Sequence, residues 1–256
     1  MALWDDGCRM DETRLHERPD LPYYNGKPAA LTLPACVLIL TACAASFAAL
    51  LWLPTVMPGA AGGWLAAAAF VGLQLAGLAL AVGPAWTALF RRPRWCDVLV
   101  GLAAVPLVMG VPALMAFLVV GPGNLVGNPV IGAAAHLTAA SGMERFAIAA
   151  VQLVGEELVT ILPLLVVLAL LYRAGLPRGP AIAIAALATA LTFGALHLPT
   201  YQWHLGQALL VIGAARLVLT AVFLLTRSFW ASTVAHVAND WAILAMAMLA
   251  GSQDVP

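Results

Sequence analysis

Charge is what this sequence has least of. Its 256 residues hold 12 Lys and Arg and 12 Asp and Glu, 9% of the chain, where soluble domains carry about 25%. Hydrophobic residues make up 63% and the mean hydropathy is +0.96, which excludes an ordinary soluble domain and implies an integral membrane protein. The formal net charge is zero, so no basic surplus points to nucleic acid as a partner. A phosphate-binding glycine loop, a dinucleotide glycine fingerprint, an HExxH zinc motif and a convincing internal repeat are all missing. The four cysteines, Cys8, Cys36, Cys43 and Cys96, have no metal-ligand spacing and imply no disulfide framework. Cys36 and Cys43 lie seven apart on one helix face and are expected to be small packing residues. The first thirty residues carry no apolar core of a secretory signal, so the first membrane helix is expected to be a permanent anchor.

What is present is a series of apolar runs. Residues 1–29 mix acids and bases (DDGCRMDETRLHERPD) and are expected to be a flexible cytoplasmic tail. In it, Trp4, Tyr23 and Tyr24 are either interfacial or incidental aromatics. Seven apolar segments follow, at 31–53, 64–86, 98–120, 146–172, 180–198, 205–226 and 229–250, each long enough to span a bilayer, the fifth only just. The expected fold is therefore all-α, a polytopic transmembrane helical bundle of about seven spans. A three-helix membrane portion (30–145) would precede a functional core (146–250). The long connector 121–145 contains a piece, 129–141, too short to cross and a candidate re-entrant segment; His136 sits there and is expected to be solvated. Placing the N-terminus in the cytoplasm puts ten of the twelve basic residues inside and only Arg145 outside, with Arg216 within a span. That asymmetry favours a cytoplasmic N-terminus and an external C-terminus.

Within the spans, ionisable side chains are confined to the last four. Glu156 and Glu157 stand together in an apolar run bounded by Arg145 and Arg173, and each charged carboxylate at mid-membrane costs roughly 2.5–3.5 kcal/mol. The next span ends in Phe193-Gly194-Ala195-Leu196-His197, the sixth contains Arg216, and the seventh contains His236-Val237-Ala238-Asn239-Asp240. Phe193 and His197 share a helix face, as do His236 and Asp240. Glu156 and Glu157 differ by about 100° around theirs, so one can face a cavity while the other meets a neighbouring helix. Gly155 permits close approach beside the acids, and Pro163 is expected to bend the helix beyond them. A desolvated glutamate can take a proton from water and later return it, and a histidine can orient that water. A second histidine can donate to the oxyanion formed when water adds to a carbonyl. The set suits amide hydrolysis without a covalent intermediate and without a cofactor. Zinc held by Glu156, His197 and His236 would be an alternative way to activate water, and a proton-coupled transporter could also use such a chain of groups.

Glu-Glu at 156–157, Phe-x-x-x-His at 193–197 and His-x-x-x-Asp at 236–240, in this order on separate helices, resemble the CAAX protease and bacteriocin-processing family of intramembrane proteases, which includes the Abi immunity proteins. The lead-in Thr226-Arg227-Ser228-Phe229-Trp230-Ala231-Ser232-Thr233-Val234-Ala235-His236 resembles that family too, and the likeness covers about 146–245. It implies an endopeptidase acting on a membrane-associated peptide or protein, for instance prenylated or bacteriocin-like, within the lipid bilayer. By position, Glu156 would be the general base, His197 would help hold the water, and His236 and the residue at 240 would line the oxyanion site. Glu157 would support them. Two departures stand out. The family's Arg four residues after the second Glu is Ile161 here, and its final Asn is Asp240, with Asn239 one place earlier. An ionised Asp cannot donate to an oxyanion, and a silent immunity or scaffold protein is the corresponding alternative. Arg216 is expected to pair with Glu157 or Asp240 and to replace the missing arginine.

Overall fold

The structure, a computed structural model, describes residues 20–251. The expectations for residues 1–19, for Trp4 and Cys8, and for the chain beyond Gly251 lie outside the described residues. Described residues form helices and turns with no strand, and seven helices are long and apolar enough to cross a membrane.

The helices begin and end where the local chemistry directs. Thr32 caps α1 (Leu33–Val56) by accepting from the Ala35 N–H at 3.3 Å, with a proline in the first turn. α2 (Ala60–Val82) continues as a 3-10 turn over Gly83–Leu89. α3 (Trp95–Met115) starts with the Asp97 carboxylate accepting from the Arg94 N–H at 2.9 Å and ends in a π turn, Ala116–Val120. The candidate re-entrant piece resolves into a six-residue helix, α4 (Pro129–Ala134), and the first turn of α5 (Ala139–Arg173). Thr138 caps α5, and Gly175, with φ of 88°, terminates it through a Leu176 N–H to Leu171 carbonyl bond of 3.1 Å. α6 (Arg178–Leu196) is followed by irregular turns, then by α7, a π stretch over Gly206–Ile212 running into Gly213–Thr226, and by α8 (Phe229–Gly251).

α5 is the axis of the bundle. Its most apolar window is 67% buried, against 22% for α1, α3 and α8. It packs against α1, α2, α6 and α8, while α3 leans on α7 and α8. At 35 residues it is about 52 Å long by a rise of 1.5 Å per residue, well beyond a hydrocarbon core of about 30 Å. Arg145 and Arg173, 28 residues apart on it, are separated by about 42 Å along the axis. It passes through Pro163 without interruption. Leu33, Val37, Leu51 and Trp52 of α1 and Leu99, Leu107 and Leu114 of α3 are exposed, which suits a lipid-facing surface.

One expected boundary moves. Residues 21–24 are buried rather than tail-like, while 25–28 are exposed, and the Tyr23 hydroxyl donates to the Ala85 carbonyl at 2.9 Å. Arg91 donates to the Asp20 carbonyl. Tyr24 stacks edge-on against Tyr172 with centroids 5.1 Å apart. Burial raises the Tyr23 phenol to about 12, so it stays a neutral donor. These contacts gather residues 20–24, 85–91 and 172–178 at one end of the bundle.

Candidate active site

The two adjacent acids are held in opposite ways. Gly155, just before them, allows the Phe70 ring of α2 to lie where a side chain would stand; a Cβ there would come within 2.4 Å of the ring. The buried Gln74 of α2 donates from Nε2 to the Gly155 carbonyl at 3.1 Å and to the Phe70 carbonyl at 2.8 Å. The supporting half thereby grips α5 one residue ahead of Glu156.

Glu157 is fully buried. Arg216 of α7, also fully buried, meets it with two bonds, Nη1 to Oε1 at 2.6 Å and Nη2 to Oε2 at 3.1 Å. This planar fork matches a carboxylate face to face. Of the two partners expected for Arg216, the structure thus pairs it with Glu157, and Ile161 lies in the apolar core. The Arg216 guanidinium also sits 5.5 Å from the Phe193 ring centre, close enough for a cation–π contact. His236 of α8 adds Nδ1 to Glu157 Oε1 at 2.9 Å. With Nδ1–H committed to Glu157, Nε2 is left facing the other acids, 3.8 Å from Glu156 Oε2 and 4.0 Å from Asp240 Oδ1.

Glu156 faces the cavities. Its side chain is 14% exposed, and Gln152, one turn earlier, donates to its Oε1 at 3.0 Å. A cavity of about 210 Å³ is lined by Glu156, Gln152, Arg145, His197, Thr200 and Asp240, together with Asn128, Val130 and Ile131. A second, apolar one of about 120 Å³ opens beside it, where Phe47, Leu50 and Leu51 of α1 and Phe70 of α2 face Glu156 and His197. Glu156 and His197 therefore stand between a polar and an apolar space. His197, just after α6, has Nδ1 2.8 Å from the Phe193 carbonyl and its ring 4.6 Å from the Phe193 ring. That contact fixes Nδ1 as the donor and leaves Nε2 as the free lone pair.

The Asn239–Asp240 pair behaves differently from a single amide. Asn239 Nδ2 donates to Asp240 Oδ1 at 2.9 Å, so Asp240, 39% exposed, is an acceptor on the cavity wall. Asn239 is buried and its Oδ1 has no partner among the described residues. The structure thus brings Glu156, Glu157, Arg216, His236 and Asp240 into one connected cluster, with His197 lining the same cavity as Glu156 and Asp240 and Phe193 packed against the His197 ring. Gln152, Arg145, Asn128 and Tyr201 were not singled out by the sequence reading. The signal for Gln152 and Arg145 was their helical spacing from Glu156; for Asn128 and Tyr201, on connectors, there was none. Tyr201 is buried next to Asn128, with Nδ2 to hydroxyl at 3.5 Å. Burial pushes its phenol up, and nearby Asp240 and Glu156 add to this. No group of three or more His, Cys, Asp or Glu side chains is placed to hold a metal among the described residues.

The structure thus holds a carboxylate–histidine cluster inside an all-helical bundle with seven helices long and apolar enough to cross a membrane. Residues 140–242, from the first turn of α5 into α8, match the model of the family described as type II CAAX prenyl endopeptidase Rce1-like. The resemblance seen in the three short motifs therefore holds, and it supports an intramembrane endopeptidase of a multi-pass membrane protein. No curated protein matches the chain, and no solved structure does.

Proposed function

We propose that the chain is a glutamate-dependent endopeptidase that hydrolyses a peptide bond of a membrane-associated substrate without a metal. What carries this reading is the placement of Glu156 and His197 on one cavity wall with His236 Nε2 3.8 Å from Glu156. Water held by Glu156 and His197 Nε2 adds to the scissile carbonyl while Glu156 takes its proton. The tetrahedral oxyanion then faces His236. The C–N bond breaks as Glu156 returns the proton to the leaving amine. Three carboxylates, Glu157, Glu156 and Asp240, lie 2.9, 3.8 and 4.0 Å from the His236 ring nitrogens against the single guanidinium of Arg216, so His236 serves here as the imidazolium. Its Nδ1–H then serves Glu157 and its Nε2–H the oxyanion. Asp240, which accepts from Asn239, supports that positive charge in place of donating to the oxyanion.

The direct test is Glu156→Gln. The isosteric amide keeps the packing and cannot accept the proton, so cleavage should fall roughly 100- to 10,000-fold while the protein still inserts. Membrane peptides that accumulate uncleaved in Glu156→Ala cells would name the substrate, and appreciable activity in Glu156→Gln would end the general-base role. Chelators should leave activity intact; loss restored by zinc would assign Glu156, His197 and His236 as metal ligands instead.

Orientation sets the side of entry. Among the described residues, Lys27, Arg91, Arg92, Arg94, Arg173, Arg178 and Arg227 collect at the end of the bundle away from the cavity. With that end cytoplasmic, the polar cavity opens to the outer side. A reporter fused after Ala174 should then be cytoplasmic and one after Pro256 external; the reverse would invert the access.

A further inference from the structure

Arg145 has no side-chain hydrogen bond or ion pair among the described residues, yet it lines the 210 Å³ polar cavity. It is also the single Lys or Arg at that end of the bundle among the described residues. The contrast with Arg216, locked to Glu157 in a buried fork, shows that Arg145 is not engaged in holding the fold. Its position on α5 is ordered. Arg145, Ala149, Gln152 and Glu156 follow at intervals of four, three and four, and all four line the same cavity. Eleven residues turn the helix through three turns to within about 20° of the starting face and advance it about 16 Å. The stripe therefore runs from the proposed base to an uncommitted guanidinium.

We propose that Arg145 is a specificity-determining residue that binds a carboxylate of the peptide substrate. The proposal rests on the endopeptidase reading and adds a substrate class to it. Glu156 and Asp240 repel an anion from the reacting end of the cavity, so the carboxylate docks at the far end of the stripe. An extended peptide covers about 3.3–3.6 Å per residue. A span of 16 Å, shortened by the reach of the arginine side chain, places the carboxylate about three to five residues from the scissile bond. Its source is either the chain terminus or an Asp or Glu side chain, since a guanidinium fork serves both alike.

Full-length protein in phosphatidylcholine nanodiscs tests this with three probes. Each is an N-palmitoylated, dansyl-labelled Ala-Leu hexapeptide: one with a free carboxylate, one amidated, and one amidated with an internal Asp. Binding is measured on the Glu156→Gln variant, so that no cleavage is needed. The carboxylate or Asp probe should bind roughly 10- to 100-fold more tightly than the neutral amide, the size of a charge-assisted hydrogen-bond pair. Preference for the first or second of these identifies the source. Arg145→Ala should abolish the preference, Arg145→Lys should keep part of it, and Arg145→Glu should reverse it. Equal affinity for all three probes, or a preference unchanged in Arg145→Ala, overturns the proposal. Cleavage of the same probes by the parent protein separates the two readings. Turnover that survives Glu156→Gln refutes the proposed mechanism, whereas Glu156-dependent turnover indifferent to Arg145 refutes only the carboxylate assignment.

Discussion

Glu156 and Glu157 are neighbours in the chain, yet one lies in an open and the other in a closed environment. On one side of α5, Glu157 has no solvent exposure and is enclosed by Arg216 and His236. On the other, Glu156 borders two cavities, accepts from the Gln152 amide and has His236 Nε2 3.8 Å from its second oxygen. One step of about 100° around a helix produces the difference. The closed side ties α7 and α8 to α5 and fixes the ring orientation of His236; the open side leaves the Glu156 carboxylate facing the cavities. Adjacent identical residues can thus be given a closed and an open environment by the helices they face.

Exchanging the two glutamates for glutamines should break this comparison most sharply. Glu156→Gln is expected to lose at least about 100-fold in rate with an unchanged unfolding midpoint in detergent. Glu157→Gln should do the opposite first: Arg216 is left as a buried charge without a counter-ion, a loss of about 3–5 kcal/mol in stability. Activity would fall only as the fold and the His236 orientation fail. Equal stability losses in the two variants would erase the distinction between the open and closed faces.

Arg216→Ala probes the closed side from its other partner. It should destabilise by a similar amount, and Ile161→Arg added to it should recover part of the loss, because residue 161 is one turn from Glu157 on the same face. The recovery stays partial, since Ile161 is fully buried among Leu158 and Leu165 and its apolar packing is lost. The informative quantity is the coupling between the two substitutions. Additive effects would mean that no arginine at 161 reaches Glu157.

These residues also show where sequence reasoning reaches and where it stops. Seven spans follow from run length alone. The Arg216–Glu157 pair was one of two partners expected, because the sole basic residue within a span must meet an acid. The start of α5 at Ala139 rather than 146 was hidden because Ser141, Glu144 and Arg145 interrupt the apolar run while remaining good helix residues beyond the hydrocarbon. The ordering of residues 20–29 depends on Tyr23 and Tyr24 finding Ala85, Tyr172 and Arg178, contacts separated by 60 residues or more that no local pattern encodes. The direction of the Asn239 amide, toward Asp240, is a rotamer choice set by packing.

The smallest expected effect comes from an ion pair at the opposite extreme of exposure from Glu157. Asp20 Oδ1 accepts from Arg178 Nη2 at 2.7 Å and from the Leu21 N–H at 2.8 Å, and Oδ2 accepts from the Tyr24 hydroxyl at 2.5 Å. Partial burial by itself would raise this carboxyl, but the hydrogen bonds from Tyr24, Leu21 and Arg178 and the arginine charge outweigh it, so it lies below its ordinary value. A depressed folded-state value means that the stabilisation is complete above the unfolded carboxylate's range, near 3.9, and is lost as pH falls through the lower folded value. Because the Asp20 side chain is 36% exposed and that of Arg178 44%, solvent screening limits it to less than about 1 kcal/mol. Unfolding of the parent protein in detergent should therefore show an Asp20-dependent decline only below about pH 4, by the same linkage. Asp20→Asn should be slightly less stable at neutral pH and should lack that part of the acid decline. A loss in Asp20→Asn as large as that in Glu157→Gln would show that the strap formed by residues 20–29 holds the bundle as firmly as the buried fork. Exposure would then not be what separates the two pairs.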